Sequence, residues 1–438
     1  MGAVRQNVES VRQNDARVRT AVIERMSYQV IGGDVGGTNS RLALYTVPAT
    51  KLALKEGRMP PGTILYSMWY RNSEFTTFTD VFKAFLQEVA EAGATAKDIS
   101  TACVAVAGPV AHNEVKMTNR GRWIINGDRL AKEVGLKRVV LINDFVAQGY
   151  GLLTVDRTDT KEVHVLQDAS PEPGAPIATI GAGTGLGECF LTPGEDGYYV
   201  AYPSEGGHAE FPPRTETEFQ LLEFLKRRYE QKHRVSVERV VSGPGIANVY
   251  DFLAEHYPDQ VDKSVDAAFR AAGEMGGKIV SENAKPGTLA GLALDIFAGA
   301  YGSEAGVAGL KWMPFGGLFI TGGLTPKNID RIAGKNSLFM EAFRDKGRVS
   351  PLLSKIPMYA VLVEDLGERG AHWMAIKTLL EHLNSGNVLR GVFKGAATGS
   401  ASRAHDGISF WRSQTAVTMV GGVALASLSF LAAKFFRK

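Results

Sequence analysis

Ile31-Gly-Gly-Asp-Val-Gly-Gly-Thr-Asn-Ser-Arg-Leu42 returns, about 150 residues later, as Ile180-Gly-Ala-Gly-Thr-Gly-Leu-Gly-Glu-Cys-Phe-Leu191. In each copy an apolar run enters a cluster of glycines and a second run leaves it, the pattern of two strands joined by a glycine-rich turn. The first unit reads as strand Tyr28–Gly33, turn Asp34–Asn39 and strand Ser40–Val47. The second reads as a strand from Pro176, a turn over Gly181–Gly187 and a strand Cys189–Thr192. Two such units predict two related α/β halves facing one cleft.

Working outward, Thr101–Ala107 and Arg138–Ile142 are continuous β-rich runs, as expected of strands covered on both faces. Phe78, Phe82, Phe85, Leu86 and Val89 fall at helical spacing within Glu74–Gly93 and predict an amphipathic helix over a sheet. Later helices are expected from Thr215 to Gln231, opened by the capping box Thr215-x-x-Glu218, and from near Gly245, Ser264 and Leu289. A strand Leu318–Thr321 runs into Gly322-Gly323, and a helix Leu366–Leu383 closes the globular part. The expected division is a small α/β domain at 28–154, completed by helix 366–383, and a larger α/β domain at 155–365.

A chain of 438 residues with 45% hydrophobic and 22% charged side chains is too long for one small core and too apolar for disorder. Its 49 Lys and Arg against 46 Asp and Glu give +3, and Lys434, Arg437 and Lys438 account for all three, so nothing calls for a nucleic-acid partner. Two cysteines, Cys103 and Cys189, exclude a disulfide scaffold and a structural zinc site.

Residues 1–27 mix five arginines with Glu9, Asp15 and Glu24 and contain no apolar run, so they read as a solvated extension and not as a secretory signal. Ser385–Gly407 has the Gly, Ala and Ser content of a flexible linker, taken to cover 384–412. Ser413–Ala433 then runs 21 residues without a charge, about 31 Å as a helix at ~1.5 Å per residue, which matches a hydrocarbon core of ~30 Å. With Arg412 before it and Lys434, Arg437 and Lys438 after it, the run is expected to be a transmembrane tail anchor. That would hold the rest of the chain facing the cytosol on a mitochondrial, peroxisomal or plastid outer membrane; without an anchor the chain would be cytoplasmic.

Neither glycine turn is a G-x-x-x-x-G-K-[ST] loop, and the spacing of Gly181, Gly183, Gly185 and Gly187 is not that of a dinucleotide fingerprint. Glycines let backbone N–H groups converge on an anion, and Thr38 and Thr184 each add a hydroxyl donor. Two such loops would grip one polyphosphate, with Asp34 placed to hold a metal-bound water. Asp144, after Asn143 at the end of a strand, sits where α/β sheets present ligand groups; its structural alternative is the N-cap of a helix beginning at Phe145. Glu205 and His208 flank Gly206-Gly207, which would let the backbone approach a ligand closely.

Six motifs occur in the order seen in bacterial-type glucokinases: G-D-V-G-G-T-N from Gly33, I-N-D-F from Ile142, G-A-G-T-G-L-G from Gly181, P-S-E-G-G-H from Pro203, E-R-V-V-S-G-P-G from Glu238 and F-G-G-L-F-I-T-G-G from Phe315. Over Tyr28–Leu383 the chain resembles that family, which implies a two-domain, actin-like/ribonuclease H-like sugar kinase with a cleft. The resemblance implies that Asp144 accepts the proton of the sugar 6-hydroxyl and that Asn143, Glu205, His208 and Glu238 bind the sugar. It implies that ATP lies on Asp34, Gly36, Gly37, Thr38, Asn39, Gly183, Thr184 and Gly185, with Gly322, Gly323 and Ser242–Gly245 near the adenosine. Mg²⁺ would travel with the ATP without direct protein ligands, and a homodimer is the implied assembly. The chain after His208 reads A-E-F-P-P-R without Cys, similar to the zinc-free group. Glucose and ATP are the expected substrates; another hexose, another phosphoryl donor, or a sugar sensor without turnover remain open on sequence alone.

Overall fold

The computed structural model describes residues 26–93, 99–117 and 123–385. The extension before residue 26, the expected linker beyond residue 385 and the uncharged run 413–433 lie outside the described residues. Among the described residues no helix is long and apolar enough to cross a membrane. The described residues through Leu379 belong to one compact unit; of the second, Leu380–Lys438, the described part completes the last helix.

β1 (Ser27–Val35), β2 (Asn39–Pro48) and β3 (Thr63–Arg71) form an antiparallel meander, and β4 (Ile99–Val106) runs parallel to β1. β5 (Val110–Ala111), β6 (Glu114–Lys116) and β7 (Ile124–Asn126) make a small separate sheet. β8 (Val139–Asn143) adds parallel to β4, so the first sheet has the order β3-β2-β1-β4-β8. The second contains β9 (Val163–Gln167), β10 (Ile177–Ala182), β11 (Leu186–Pro193), β12 (Tyr199–Ser204), β13 (Gly317–Thr321) and β14 (Met358–Val361), in the order β12-β11-β10-β13-β14-β9. β12, β11 and β10 are again an antiparallel meander, followed by parallel β13 and β14. The internal repeat read from the two glycine clusters is thus a repeat of strand order and direction, with β9 added antiparallel at the β14 edge.

Both glycine turns are tighter than their sequences suggest. Asp34 and Val35 still pair with Arg41 and Ser40, so Asp34 is a strand residue and the first turn is confined to Gly36–Thr38. Likewise Gly181 and Gly187 are cross-strand partners in the β10–β11 ladder, leaving Gly183–Gly185 as the second turn. Their glycines answer a packing need, since a Cβ on either would strike the Phe145 ring.

The helix α1 (Phe78–Glu91) starts later than expected because Thr77 and Asp80 form a reciprocal capping box, Asp80 N–H bonding Thr77 Oγ1 at 3.2 Å and Thr77 N–H bonding Asp80 Oδ2 at 2.9 Å. Its Phe78, Phe82, Phe85 and Val89 join Ile31, Leu42, Leu44 and Val104 in the core beside the first sheet. At Thr215 only half of the expected box forms. The hydroxyl caps Glu218 N–H at 3.2 Å, but the Glu218 carboxylate accepts from Arg214 N–H at 2.6 Å.

α2 (Asp144–Leu152), α3 (Gly243–His256), α4 (Leu289–Trp312) and α5 (Leu366–Ser385) position the site. α4 is buried along most of its length and centres the second core. α5 is buried on more than one face: Leu366, Arg369–Trp373 and Ala375–Leu379 are all inside. It meets the first sheet where His372 stacks on Tyr45 at 3.6 Å and Thr101 Oγ1 donates to Ala375 O at 2.9 Å. It meets the second half through Lys377 with Asp196 at 2.9 Å and Arg369 with Glu162 at 2.7 Å. It also crosses α2 so closely that a Cβ on Gly370 would collide with Ala147 O, and one on Gly151 with Leu366 O.

That crossing reverses the usual sign of a helical Gly→Ala change. Gly367, one turn earlier in α5, has open space around a Cβ, so Gly367→Ala should be neutral or stabilise by up to ~1 kcal/mol through helix propensity. Gly370→Ala should destabilise by ~1–3 kcal/mol through overpacking. Thermal unfolding of the two variants side by side checks this; equal Tm values would remove the crossing from the account.

Candidate active site

β8 ends at Asn143 and α2 begins at once, so two adjacent polar residues are fixed at the C-terminal edge of the first sheet. Asn143, not Asp144, is the N-cap: its Oδ1 accepts from Phe145 N–H at 2.9 Å and Val146 N–H at 3.2 Å. Its Nδ2 donates to Gly108 O at 3.1 Å and to Asp144 Oδ1 at 2.9 Å. Asp144 is the first helical residue, and the Phe145 N–H also donates to its Oδ1 at 2.9 Å. Burial holds the Asp144 carboxyl above the usual range, the Glu205 charge adds to this, and the bonds from Phe145 and Asn143 oppose it.

Asp34 faces the same point from β1. Burial, and then the charge of Asp144, push it up to about 6, with Arg41 acting in the other direction. Three carboxyls of widely separated sequence origin, Asp34, Asp144 and Glu205, therefore sense one another, with Asp144 common to both pairs. Like charges gathered this way are costly unless a cation or a proton is shared among them.

The first glycine turn closes through Gly36 N–H to Asn39 O at 2.9 Å. It rests on Asn72, a fully buried residue: Asn72 N–H donates to Thr38 O and Nδ2 to Gly36 O, both at 2.8 Å, while Ser40 Oγ donates to Asn72 Oδ1 at 2.6 Å. The second turn closes through Gly183 N–H to Gly185 O at 2.8 Å, and its Gly183 O accepts from Gly243 N–H at 2.8 Å, the start of α3. Gly322, at φ +84°, lies against Ala182, where a Cβ would strike Ala182 O. The segments Gly183–Gly185, Ser242–Gly245 and Gly322–Gly323 are therefore contiguous, and Thr38 and Thr184 are both exposed. Among the described residues no backbone carbonyl takes up the N–H groups of Gly37, Thr38, Thr184 or Gly185, which leaves them for an anion.

Glu205 precedes a single 3-10 turn, Gly206–His208, and its carboxylate lies 3.9 Å from His208 Nε2. The two side chains are 73% and 61% exposed, so they line an open surface. Gly206 and Gly207 approach protein and not open space: a Cβ on the first would strike Glu188 Oε2, on the second Leu186 O. Glu238 lies in the 3-10 turn Val237–Arg239 leading to α3. Its Oε2 accepts from Leu186 N–H at 2.9 Å, against Gly185, so it braces the second glycine turn.

Three contributors escape the sequence reading: Asn72 under the first turn, Phe145 against Gly181 and Gly187, and Glu188 under Gly206. Each acts through residues distant in the chain. The one signal available was the spacing of Gly181 and Gly187, too wide for the turn itself. Among the described residues no group of three or more His, Cys, Asp or Glu is placed to hold a metal ion.

The Glucokinase family model matches residues 31–378. A glucokinase from Synechocystis sp. is 40% identical, the alignment covering 79% of this chain and 97% of that one. Among solved structures, a glucokinase from an Antarctic psychrotroph superposes with a TM-score of 0.60 at 26% identity, covering 79% of this chain and 98% of the other. A Balamuthia mandrillaris glucokinase solved in complex with glucose gives 0.63 at 19% identity, covering 84% and 98%, a likeness of fold.

Proposed function

The chain belongs to the glucokinase family, and from that premise we propose which residues carry the γ-phosphoryl group of ATP to the 6-hydroxyl of D-glucose. The enzyme is a glucokinase, catalysing ATP-dependent phosphorylation of glucose; the assignment of roles rests chiefly on Asp144 being coupled by charge to both Asp34 and Glu205. Asp144 accepts the 6-hydroxyl proton as the new O–P bond forms. The bonds from Asn143 Nδ2 and Phe145 N–H both fall on Oδ1, and burial makes the carboxyl a better base than a solvated carboxylate. Glu205 and His208 hold sugar hydroxyls, with Asn143 and Glu238 completing the set. Asn143 and Glu238 already carry structural bonds, so they contribute their remaining donor or acceptor capacity.

Gly36, Gly37, Thr38 and Asn39 take the phosphates from one side and Gly183, Thr184 and Gly185 from the other, while Gly322, Gly323 and Ser242–Gly245 lie toward the adenosine. Asp34 fits a water-mediated contact to Mg²⁺ bound with ATP, being an oxygen donor in a crowded group of carboxyls whose charge a hydrated cation relieves. When bound, that ion neutralises charge on the transferring phosphate. The exposure of Glu205 and His208 belongs to an open cleft, and glucose closes it, bringing both turns onto the nucleotide and excluding water.

Asp144→Asn keeps the shape and removes the base, so kcat should fall by roughly 10²- to 10⁴-fold with glucose affinity nearly unchanged. His208→Ala should instead raise glucose KM. A kcat within about tenfold of wild type for Asp144→Asn would take the base assignment away.

We extend the proposal to residues 413–433 as a membrane-spanning tether. Its support is the length of the uncharged run and its basic flank; the family match ends at residue 378 and does not reach it. A fluorescent protein fused to Ser409–Lys438 should move to a membrane in eukaryotic cells, on the mitochondrial, peroxisomal or plastid surface. A diffuse signal would reject the tether.

A further inference from the structure

The first three residues of β11 lie directly beneath the proposed sugar-binding turn. Leu186 N–H bonds Glu238, Leu186 O blocks any side chain on Gly207, and the Glu188 carboxyl blocks any side chain on Gly206. Glu188 is paired in register with Ser204, the residue before Glu205. Gly206 N–H donates to Ser204 Oγ at 3.0 Å, and the Ser204 hydroxyl hydrogen-bonds the Glu188 carboxyl. A relay of carboxyl, hydroxyl and amide thus runs from the sheet into the turn. Glu188 is only 3% exposed, and its Oε1 has no hydrogen-bond partner among the described residues. A buried acid with one orphan oxygen is costly to keep, and packing alone would be served by an apolar side chain of similar size.

We propose that Glu188 is a positioning residue for glucose: its carboxyl is the seat on which the Gly206–Gly207 turn rests, and so sets where Glu205 and His208 meet the sugar. The inference rests on Glu205 and His208 being sugar ligands. It accounts for Gly206, where a Cβ would strike the Glu188 carboxyl, while Gly207 is required by Leu186 O, and it accounts for an ionisable side chain at a buried position of β11.

The seat works in its neutral form. Burial, and then the nearby Glu304 carboxyl, raise Glu188 to about 8, with Lys311 and Ser204 opposing. The charged or titratable groups that bear on it are Tyr301, Glu304 and Lys311 on α4; burial holds Glu304 up as well. For a raised acid the neutral form persists until pH passes the folded value. As pH rises through about 8, Glu188 gains a charge that Glu304 repels and that Lys311 and Ser204 only partly offset; the repulsion displaces the carboxyl beneath Gly206, and glucose KM rises.

Steady-state kinetics of the full-length enzyme from pH 6.5 to about 9.5, with glucose and ATP varied separately, test this. Glu188→Ala should raise glucose KM roughly tenfold or more while ATP KM stays within about twofold, and Ser204→Ala should move glucose KM in the same direction by less. Glu188→Gln, neutral and of the same shape, should keep the wild-type glucose KM at pH 7 and abolish its rise through about pH 8. The proposal is overturned if Glu188→Ala leaves glucose KM alone or shifts both KM values together. It is equally overturned if the alkaline rise survives in Glu188→Gln, which would assign it to Glu304 or another group. Should Glu188→Ala not fold, Glu188→Gln and Ser204→Ala decide the matter. A His208→Ala variant with wild-type glucose KM would instead remove the sugar-site reading itself, and this inference with it; a raised KM there with an inert Glu188 fails the inference alone.

Discussion

The Phe145 ring lies on a patch of β-sheet that has no side chains. Gly181 and Gly187 face each other across the β10–β11 ladder, and a Cβ on either would occupy the ring's place. Phe145 is the residue after Asp144, in the first turn of α2. An aromatic contact between α2 and the second sheet therefore fixes, to within the stiffness of one helical turn, where the site's central carboxyl stands relative to the second glycine turn. Two other carboxyls are coupled to that position: the Asp144 charge raises Asp34 on the first sheet, and the charge of Glu205, just after β12, raises Asp144.

The same economy of side chains operates further along α2. Gly149 lies against Cys189 and Ala201, and Gly151 and Gly370 allow α2 and α5 to cross nearly backbone to backbone. α5 then reaches both halves through His372 and Tyr45 on one side and Lys377 and Asp196 on the other. His372 is pushed down to about 3 by burial and so stays neutral in its stack, adding no charge that would need a partner there. Close-packed interiors transmit small displacements because they have little free volume to absorb them. The two helices are thus the natural path by which closure of one half on the other would be felt at Asp144.

What could be read from the chain was whatever repeated locally. The two glycine hairpins, β4, β8, β13 and the apolar stripe of α1 announce themselves by period and punctuation, and the family motifs are what single out Asp144, Glu205 and His208 as site residues. β3 was missed because Ile64, Leu65 and Trp69 on it are exposed, which erases the alternation a half-buried strand should show. β12 and β14 are short, and their pairing is decided by β11 and β13. Gly181, Gly187, Gly206 and Gly207 were visible as glycines but not for what they accommodate, because Phe145 and Glu188 come from elsewhere in the chain. Asn72 gave no signal: its three bonds to the first turn and to Ser40 exist only once β2 and β3 have paired.

The central claim is that the position of Asp144, and with it the rate of phosphoryl transfer, is set by the Phe145 ring on the Gly181–Gly187 pair. The direct test is kcat of Gly187→Ala at saturating glucose and ATP, on protein shown by calorimetry to be folded at the assay temperature. A methyl group at residue 187 must lift the ring and carry Asp144 with it, so kcat should fall about tenfold or more, as sub-ångström to ångström misplacement of a reacting group does. A wild-type kcat would mean that Asp144 is held independently of Phe145, and the account would lose its foundation.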